Sequence, residues 1–287
     1  MLKQRIITAL ILAPAAIAAI FYLPINLFAG LLMAIVAIGA WEWARFMGLV
    51  KPFHRISYAI TTSALTALLW FLFPVDETWL VMTGVTHQIT SILWLSVLWW
   101  ILAALFMFSY PKSSGFWANN KVIIALFGWL TLVPTWLAFM VLRTNNYLLD
   151  DFQGAQLLMY LFMLVWSADV GAYFVGKSFG KNKLMPNVSP GKTIEGFLGG
   201  VACAAILTVV VGTSLQWSTN EYILALLVTL LITSVSVLGD LTESMFKRQA
   251  GVKDSGTILP GHGGILDRID SLTATAPVFA LCYLLLA

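Results

Sequence analysis

Between Ser244 and Asp270 the chain concentrates side chains suited to phosphate and metal. Lys247, Arg248, Lys253 and Arg268 are the cations, Asp254, Asp267 and Asp270 the anions, and five glycines run from Gly251 to Gly264. A helix continuing past Gly239 would set Asp240, Glu243, Ser244 and Lys247 on one face, at i, i+3, i+4 and i+7. Asp267 and Asp270, if they open the next helix, are likewise one turn apart. Carboxylates on facing helix ends suit a hard divalent cation, which takes oxygen ligands. Glycines beside them let backbone N–H groups approach phosphate oxygens. Charge alone would equally suit a solvated loop, and it is the spacing that argues for a site.

A second candidate is Asp169, in Trp166-Ser-Ala-Asp169-Val-Gly171-Ala-Tyr173, where it interrupts an apolar stretch. An ionisable group at the bilayer centre costs about 2.5–3.5 kcal/mol on insertion scales, so such residues usually face a bundle interior and serve a site. Hydrogen bonding to another helix is the structural alternative. Its expected partner is a bound cation, Tyr173 one turn on, or a lysine of the basic loop 177–193. That loop ends Ser189-Pro190-Gly191-Lys192-Thr193-Ile-Glu195-Gly196. Pro190-Gly191 reads as a turn and Thr193 as the cap of the next helix, whose N-terminal N–H groups favour anions. Lys192 there points to phosphate contact, with membrane orientation or headgroup contact as the alternative. A Walker loop is excluded, because no glycine stands five positions before Gly191. Gly196-x-x-Gly199-Gly200 reads as a helix-packing face.

Composition says which elements must hold these groups. The 287 residues are 60% hydrophobic and 10% charged, with a mean hydropathy of +0.89. Soluble domains run nearer about 25% charged, which excludes that class. Apolar stretches lie near 6–23, 26–47, 57–73, 89–110, 122–142, 155–176, 194–214, 222–239 and 271–287. Each has roughly 17–22 residues, enough at 1.5 Å per residue to cross about 30 Å of hydrocarbon. The first is read as an uncleaved span rather than a signal peptide. Pro277 in the last is tolerable where neighbouring helices satisfy freed backbone groups.

The expected fold is therefore an all-α, polytopic membrane helix bundle of nine spans. With the N-terminus in the cytoplasm, Lys3, Arg5, Arg45, Lys51, Arg55, Lys112, Lys121, Lys177, Lys181, Lys183, Lys192, Lys247, Arg248, Lys253 and Arg268 fall inside and only Arg143 outside, a split of 15 to 1. The C-terminus then faces outward. Residues 1–154 form an N-terminal region of about five spans, and 155–287 a catalytic region with its cytoplasmic loop at 240–270. Cys203 and Cys282 lie in apolar runs and the three histidines are scattered, so neither a zinc site nor a disulfide framework is indicated.

The run Ser244-x-Phe246-Lys247-Arg248-x4-Lys253-Asp254-x-Gly256-x2-Leu259-Pro260-x-His262-Gly263-Gly264-Ile265-x-Asp267-Arg268-Ile269-Asp270 resembles the signature of phosphatidate cytidylyltransferases. The stretches around Asp169 and Lys192 are similar to that family's upstream motifs. The resemblance implies Mg²⁺-dependent transfer of CMP from CTP to phosphatidate, with Asp240 and Asp267 as metal ligands and Asp169 as a further candidate. It also implies a second cation such as K⁺, a homodimer among membrane lipids, and no nucleic-acid partner. Lys247, Arg248, Lys253, Arg268 and Asp270 are the expected catalytic groups. Ser189, Lys192, Thr193, Ser244, His262, Gly263 and Gly264 are the expected phosphate and substrate contacts. The size looks bacterial, which implies an inner-membrane enzyme working on the cytoplasmic side. An ion-coupled transporter using Asp169 is the rival from another class.

Overall fold

The computed structural model describes residues 2–73, 87–147 and 149–286, with the side chains of 2–7 and 9 left out. The Lys3 and Arg5 side chains and Ala287 therefore lie outside the described residues. In hydrocarbon no water satisfies backbone N–H and C=O groups, so apolar stretches of this length must close their hydrogen bonds within the segment, as helices. They do so as α1 (Leu2–Tyr22), α2 (Ile25–Trp43), α3 (Pro52–Leu72), α4 (His87–Phe108), α6 (Lys121–Arg143), α7 (Gln153–Phe179), α8 (Ile194–Ser214), α9 (Thr219–Gln249) and α10 (Leu266–Leu286), with a short α5 (Ser114–Trp117). Among the described residues eight of these are long and apolar enough to cross a membrane. Helix α1 has 21 residues and an apolar stretch Leu10–Tyr22, where the first span was expected.

Two features depart from the sequence reading. Pro190-Gly191 is not the turn: Ser189–Thr193 is strand β2, paired antiparallel with β1 (Lys183–Met185), and the turn falls at 186–188. A two-stranded ribbon leaves one edge of each strand free, so the missing N–H of Pro190 breaks nothing there. Thr193 does cap α8, its hydroxyl accepting from Gly196 N at 3.1 Å. Secondly, α9 does not stop at Gly239. Its 31 residues rise about 46 Å at 1.5 Å per residue, well beyond about 30 Å of hydrocarbon. Helix α10 likewise starts at Leu266 rather than Ser271, so the intervening loop is only 250–265.

Helices α7 and α8 pack at close range through small residues. A Cβ on Gly171 would stand 2.5 Å from Gly199 O and 2.6 Å from Cys203 Cβ, and one on Gly200 2.7 Å from Ala168 O. In lipid such close approach, rather than hydrophobic burial, holds helices together. The end of α9 is anchored by Phe246, whose ring centroid lies 5.0 Å from Trp43, 6.1 Å from Phe46 and 4.9 Å from Trp117. Aromatic pairs at these separations add about 0.5–1.5 kcal/mol beyond their buried area. The charged end of α9 is thus fixed to α2.

Gly171→Leu is expected to destabilise the bundle by about 1–3 kcal/mol, the usual cost of overpacking. The thermal midpoint of detergent-purified protein should fall. Gly30→Leu, where a Cβ meets nothing within 4 Å, should leave it unchanged.

Candidate active site

The extension of α9 past Gly239 puts Asp240, Glu243, Ser244 and Lys247 on its final turns, and the early start of α10 puts Asp267, Arg268 and Asp270 on its first. Lys247 Nζ donates to Asp267 Oδ1 at 2.7 Å and lies 3.2 Å from Glu243 Oε1. These side chains are only 11%, 5% and 4% exposed. Asp267 Oδ2 accepts from Ser255 N at 2.9 Å, Ser255 Oγ at 2.9 Å and Gly264 N at 2.8 Å. The Asp267 carboxylate therefore ties the loop, α9 and α10 together. A Cβ on Gly263, whose φ is +86°, would stand 2.6 Å from Asp267 Oδ2.

One turn back on α9, Asp240 Oδ2 accepts from Lys192 Nζ of β2 at 2.6 Å, and Ser244 Oγ donates to Oδ1 at 3.3 Å. Asp169, reaching in from α7, interacts electrostatically with Lys192, Asp240 and Arg268. Of its three expected partners, Lys192 lines the same cavity and acts on it electrostatically, while Tyr173, also in that lining, is exposed and lies beneath Lys177. Asp270 interacts with Asp240, Lys247 and Lys192.

Two cavities are lined by the predicted residues. The first, about 470 Å³, runs between α7, α8 and α9; Asp169, Lys192 and Asp240 form its charged part, and Ala168, Phe197 and Val237 line its apolar walls. The second, about 660 Å³, is walled by the loop and includes Lys253, Asp254, His262, Gly263 and Arg268. Both fall in the size range of small-molecule sites. The His262 Nδ1 atom is buried with no hydrogen-bond partner.

The predicted residues divide accordingly. Asp169, Lys192, Asp240, Ser244, Lys247, Asp267 and Asp270 come together, while Lys253, His262, Gly263 and Arg268 form the second cavity. Arg248 donates from Nε to Val188 O at 3.2 Å, tying α9 to the hairpin. Thr193 lines the first cavity but gives its hydroxyl to the helix cap, and Ser189 starts β2 opposite Met185. Gly264 N–H is held by Asp267 rather than free for phosphate.

Sequence reasoning overlooked Glu42, Arg45 and Ser255, and set Glu243 on the shared face without a role of its own. Glu42 is fully buried and accepts from Leu266 N at 2.8 Å and Ile265 N at 3.2 Å. Its signal was present: it is an acid within an apolar stretch, as Asp169 is.

The sequence profile of the Cytidylyltransferase family matches residues 3–286. The chain is 45% identical over 280 residues to a phosphatidate cytidylyltransferase of Pseudomonas aeruginosa, covering 98% of this chain and 96% of that one. It is 42% identical over 290 residues to the Haemophilus influenzae protein of the same name, covering 99% of each. A Staphylococcus haemolyticus protein of that name is 39% identical over 197 residues, covering 61% of this chain and 74% of its own.

The two lysines should behave differently on removal. Lys247→Met leaves Glu243 and Asp267 buried without their counter-charge, and about 3–5 kcal/mol of stability should be lost, as when one partner of a buried pair is removed. Lys192→Met breaks a pair exposed by 27% and 32%, and stability should stay within about 1 kcal/mol. Thermal unfolding of the two variants beside wild type checks this.

Proposed function

This chain belongs to the cytidylyltransferase family, and from that premise we propose that it is a membrane nucleotidyltransferase joining CMP from CTP to phosphatidate. The products are CDP-diacylglycerol and pyrophosphate. The observation that carries this reading is a pair of unlike cavities, one largely apolar and one polar, each lined by charged residues of the stretches that carry the resemblance. Asp169 lines the apolar cavity and Arg268 the polar one. An apolar recess between spanning helices suits a lipid whose headgroup points at Lys192, and the loop cavity with Lys253 and Arg268 suits a triphosphate.

The reaction places few demands on acid–base groups. A phosphate oxygen of phosphatidate is already an anion; it attacks the α-phosphorus of CTP as the bond to the β-phosphate oxygen breaks. The protein must gather two anionic substrates and steady charge at phosphorus, which positioned cations do best where water is scarce. Lys192, Lys253 and Arg268 are assigned to the phosphates, Arg268 being suited to bidentate contact. Lys247 is assigned to holding the α9–α10 junction.

A divalent cation fits the donor set. Asp169, Asp240, Glu243, Asp267 and Asp270 outnumber Lys192, Lys247 and Arg268 by two charges when all are ionised. Among the described residues no three His, Cys, Asp or Glu side chains make a ready cage, which suits Mg²⁺, usually held by one or two carboxylates with substrate phosphates and water. Asp240 is the readiest ligand, with Asp169 and Asp270 beside it. Asp267 offers Oδ1, which already faces Lys247. Bound there, Mg²⁺ would neutralise the triphosphate and polarise the α-phosphorus. A second cation such as K⁺, the homodimer, the bacterial inner membrane and the cytoplasmic side are proposed on the family resemblance and, for sidedness, on the basic-residue split.

Purified protein supplied with labelled CTP, phosphatidate and Mg²⁺ is expected to form labelled lipid, and omission of any one should stop it. Label that stays entirely water-soluble overturns the proposal. Asp240→Asn should lower kcat by about 100-fold, the scale of losing one preorganised electrostatic contact. Asp169→Asn should lose activity that extra Mg²⁺ partly restores. A reporter fused after Ala287 should be active outside the cytoplasm, and cytoplasmic activity would refute the nine-span topology.

A further inference from the structure

Glu42 is absent from the lining of both cavities. A carboxylate with no exposed surface needs donors to offset its desolvation, and this one takes them all from the site's framework. Its oxygens accept from Ile265 N and Leu266 N, which begin α10, and from Ser255 Oγ at 3.2 Å. The first N–H groups of a helix have no partner within it. Here the cap comes from α2, more than two hundred residues away in the chain.

The loop is shaped around this carboxylate. A Cβ on Gly256 or on Gly264 would collide with the Glu42 carboxylate, so these two glycines make room for it. Arg45, three residues on, reinforces the hold: its Nη1 donates to Ser255 O at 2.7 Å and Asp254 O at 3.4 Å. Ser255 then passes the constraint onward. Its hydroxyl faces Glu42 Oε2 at 3.2 Å and Asp267 Oδ2 at 2.9 Å, and its N–H also donates to Asp267. The single hydroxyl proton serves one carboxylate at a time, which couples the two. Asp267 in turn holds Lys247.

We propose that Glu42 is a positioning residue for the cytidylyl transfer, fixing the 254–266 loop and the start of α10 so that Asp267 and Lys247 stand in register with the substrates. This rests on the reaction proposed above. It extends the working site into the N-terminal half of the chain, through a residue that meets no reacting atom.

The test measures kcat and both KM values in mixed micelles for wild type, Glu42→Gln, Ser255→Ala and the double variant, each normalised to folded, monodisperse protein. Gln keeps the shape but turns an amide N–H₂ toward groups that are themselves donors. Its kcat should fall about 10- to 100-fold, the penalty for small misplacement of catalytic groups. The KM for phosphatidate should stay within about twofold, since the apolar cavity is untouched. Adding Ser255→Ala should lower kcat by less than about threefold more, because residues on one path do not act additively. A folded Glu42→Gln enzyme with wild-type kcat, its loss confined to yield or thermal midpoint, overturns the proposal, as does full multiplication of the two single effects. Should Glu42→Gln fail to insert, the same kcat criterion passes to Glu42→Asp, which keeps the charge but draws it back by a methylene, and to Ser255→Ala. Wild-type protein that makes no nucleotide-lipid overturns the reaction and this proposal together, whereas product from wild type with an unchanged variant overturns Glu42 alone.

Discussion

Charges taken out of water near a membrane are tolerated only in each other's company, and Lys247 with Glu243 and Asp267 is where this constraint is sharpest. Removing any one member of such a set strands the others, which is far costlier than breaking an exposed pair. The set also fixes geometry. Glu243 and Lys247 are one turn apart on α9, Asp267 opens α10, and the same Asp267 holds Ser255 and Gly264 of the loop. Two helix ends and the loop between them are locked by one ammonium and the carboxylate it faces.

The membrane explains why the cluster sits where it does. Helix α9, at 31 residues, extends past the hydrocarbon, so its polar final turns emerge while its apolar body stays embedded. A recess lies between α7, α8 and α9, and the 250–265 loop walls a second cavity; in the proposed reaction the first would take the lipid and the second the nucleotide. Close packing of α7 on α8 through Gly171, Gly199 and Gly200 sets the width of the recess. Asp169 is thereby carried to within reach of Lys192 and Asp240. Cations from two other elements, Lys192 and Arg268, offset only part of the cost of burying that acid.

Much of this was legible in the sequence because hydropathy acts locally. A run such as 194–214 has one way to satisfy its backbone in lipid, and α8 has those bounds. The Asp240 face was legible from spacing alone once the helix was allowed to continue. Helix ends were harder, since Asp240 to Gln249 and Leu266 to Asp270 look like loop by composition while tertiary partners keep them helical. Glu42 was illegible as a partner of Ser255 because those residues are 213 positions apart, and no local pattern encodes such a contact. The glycines were misjudged for a related reason. Read as a cradle for phosphate, Gly256 and Gly264 in fact clear space for Glu42, and an absent Cβ does not reveal which neighbour requires its absence.

The site therefore combines a fixed frame with an exchangeable pair. Lys247 and Asp267 are almost fully buried, and their partners leave little freedom. Lys192 and Asp240 meet at a similar distance but are 27% and 32% exposed. An ion pair in that setting is worth about 0–1 kcal/mol, because water competes well for both partners. In the proposed reaction a phosphate would take Lys192 from Asp240 at little expense, leaving that carboxylate to face a cation. Lys247 has no such liberty, since its departure would leave two buried acids unpaired. An exchangeable pair at the β2 side of the cluster and a rigid one at the loop side follow from one difference, the access of water to two otherwise similar lysine–aspartate pairs.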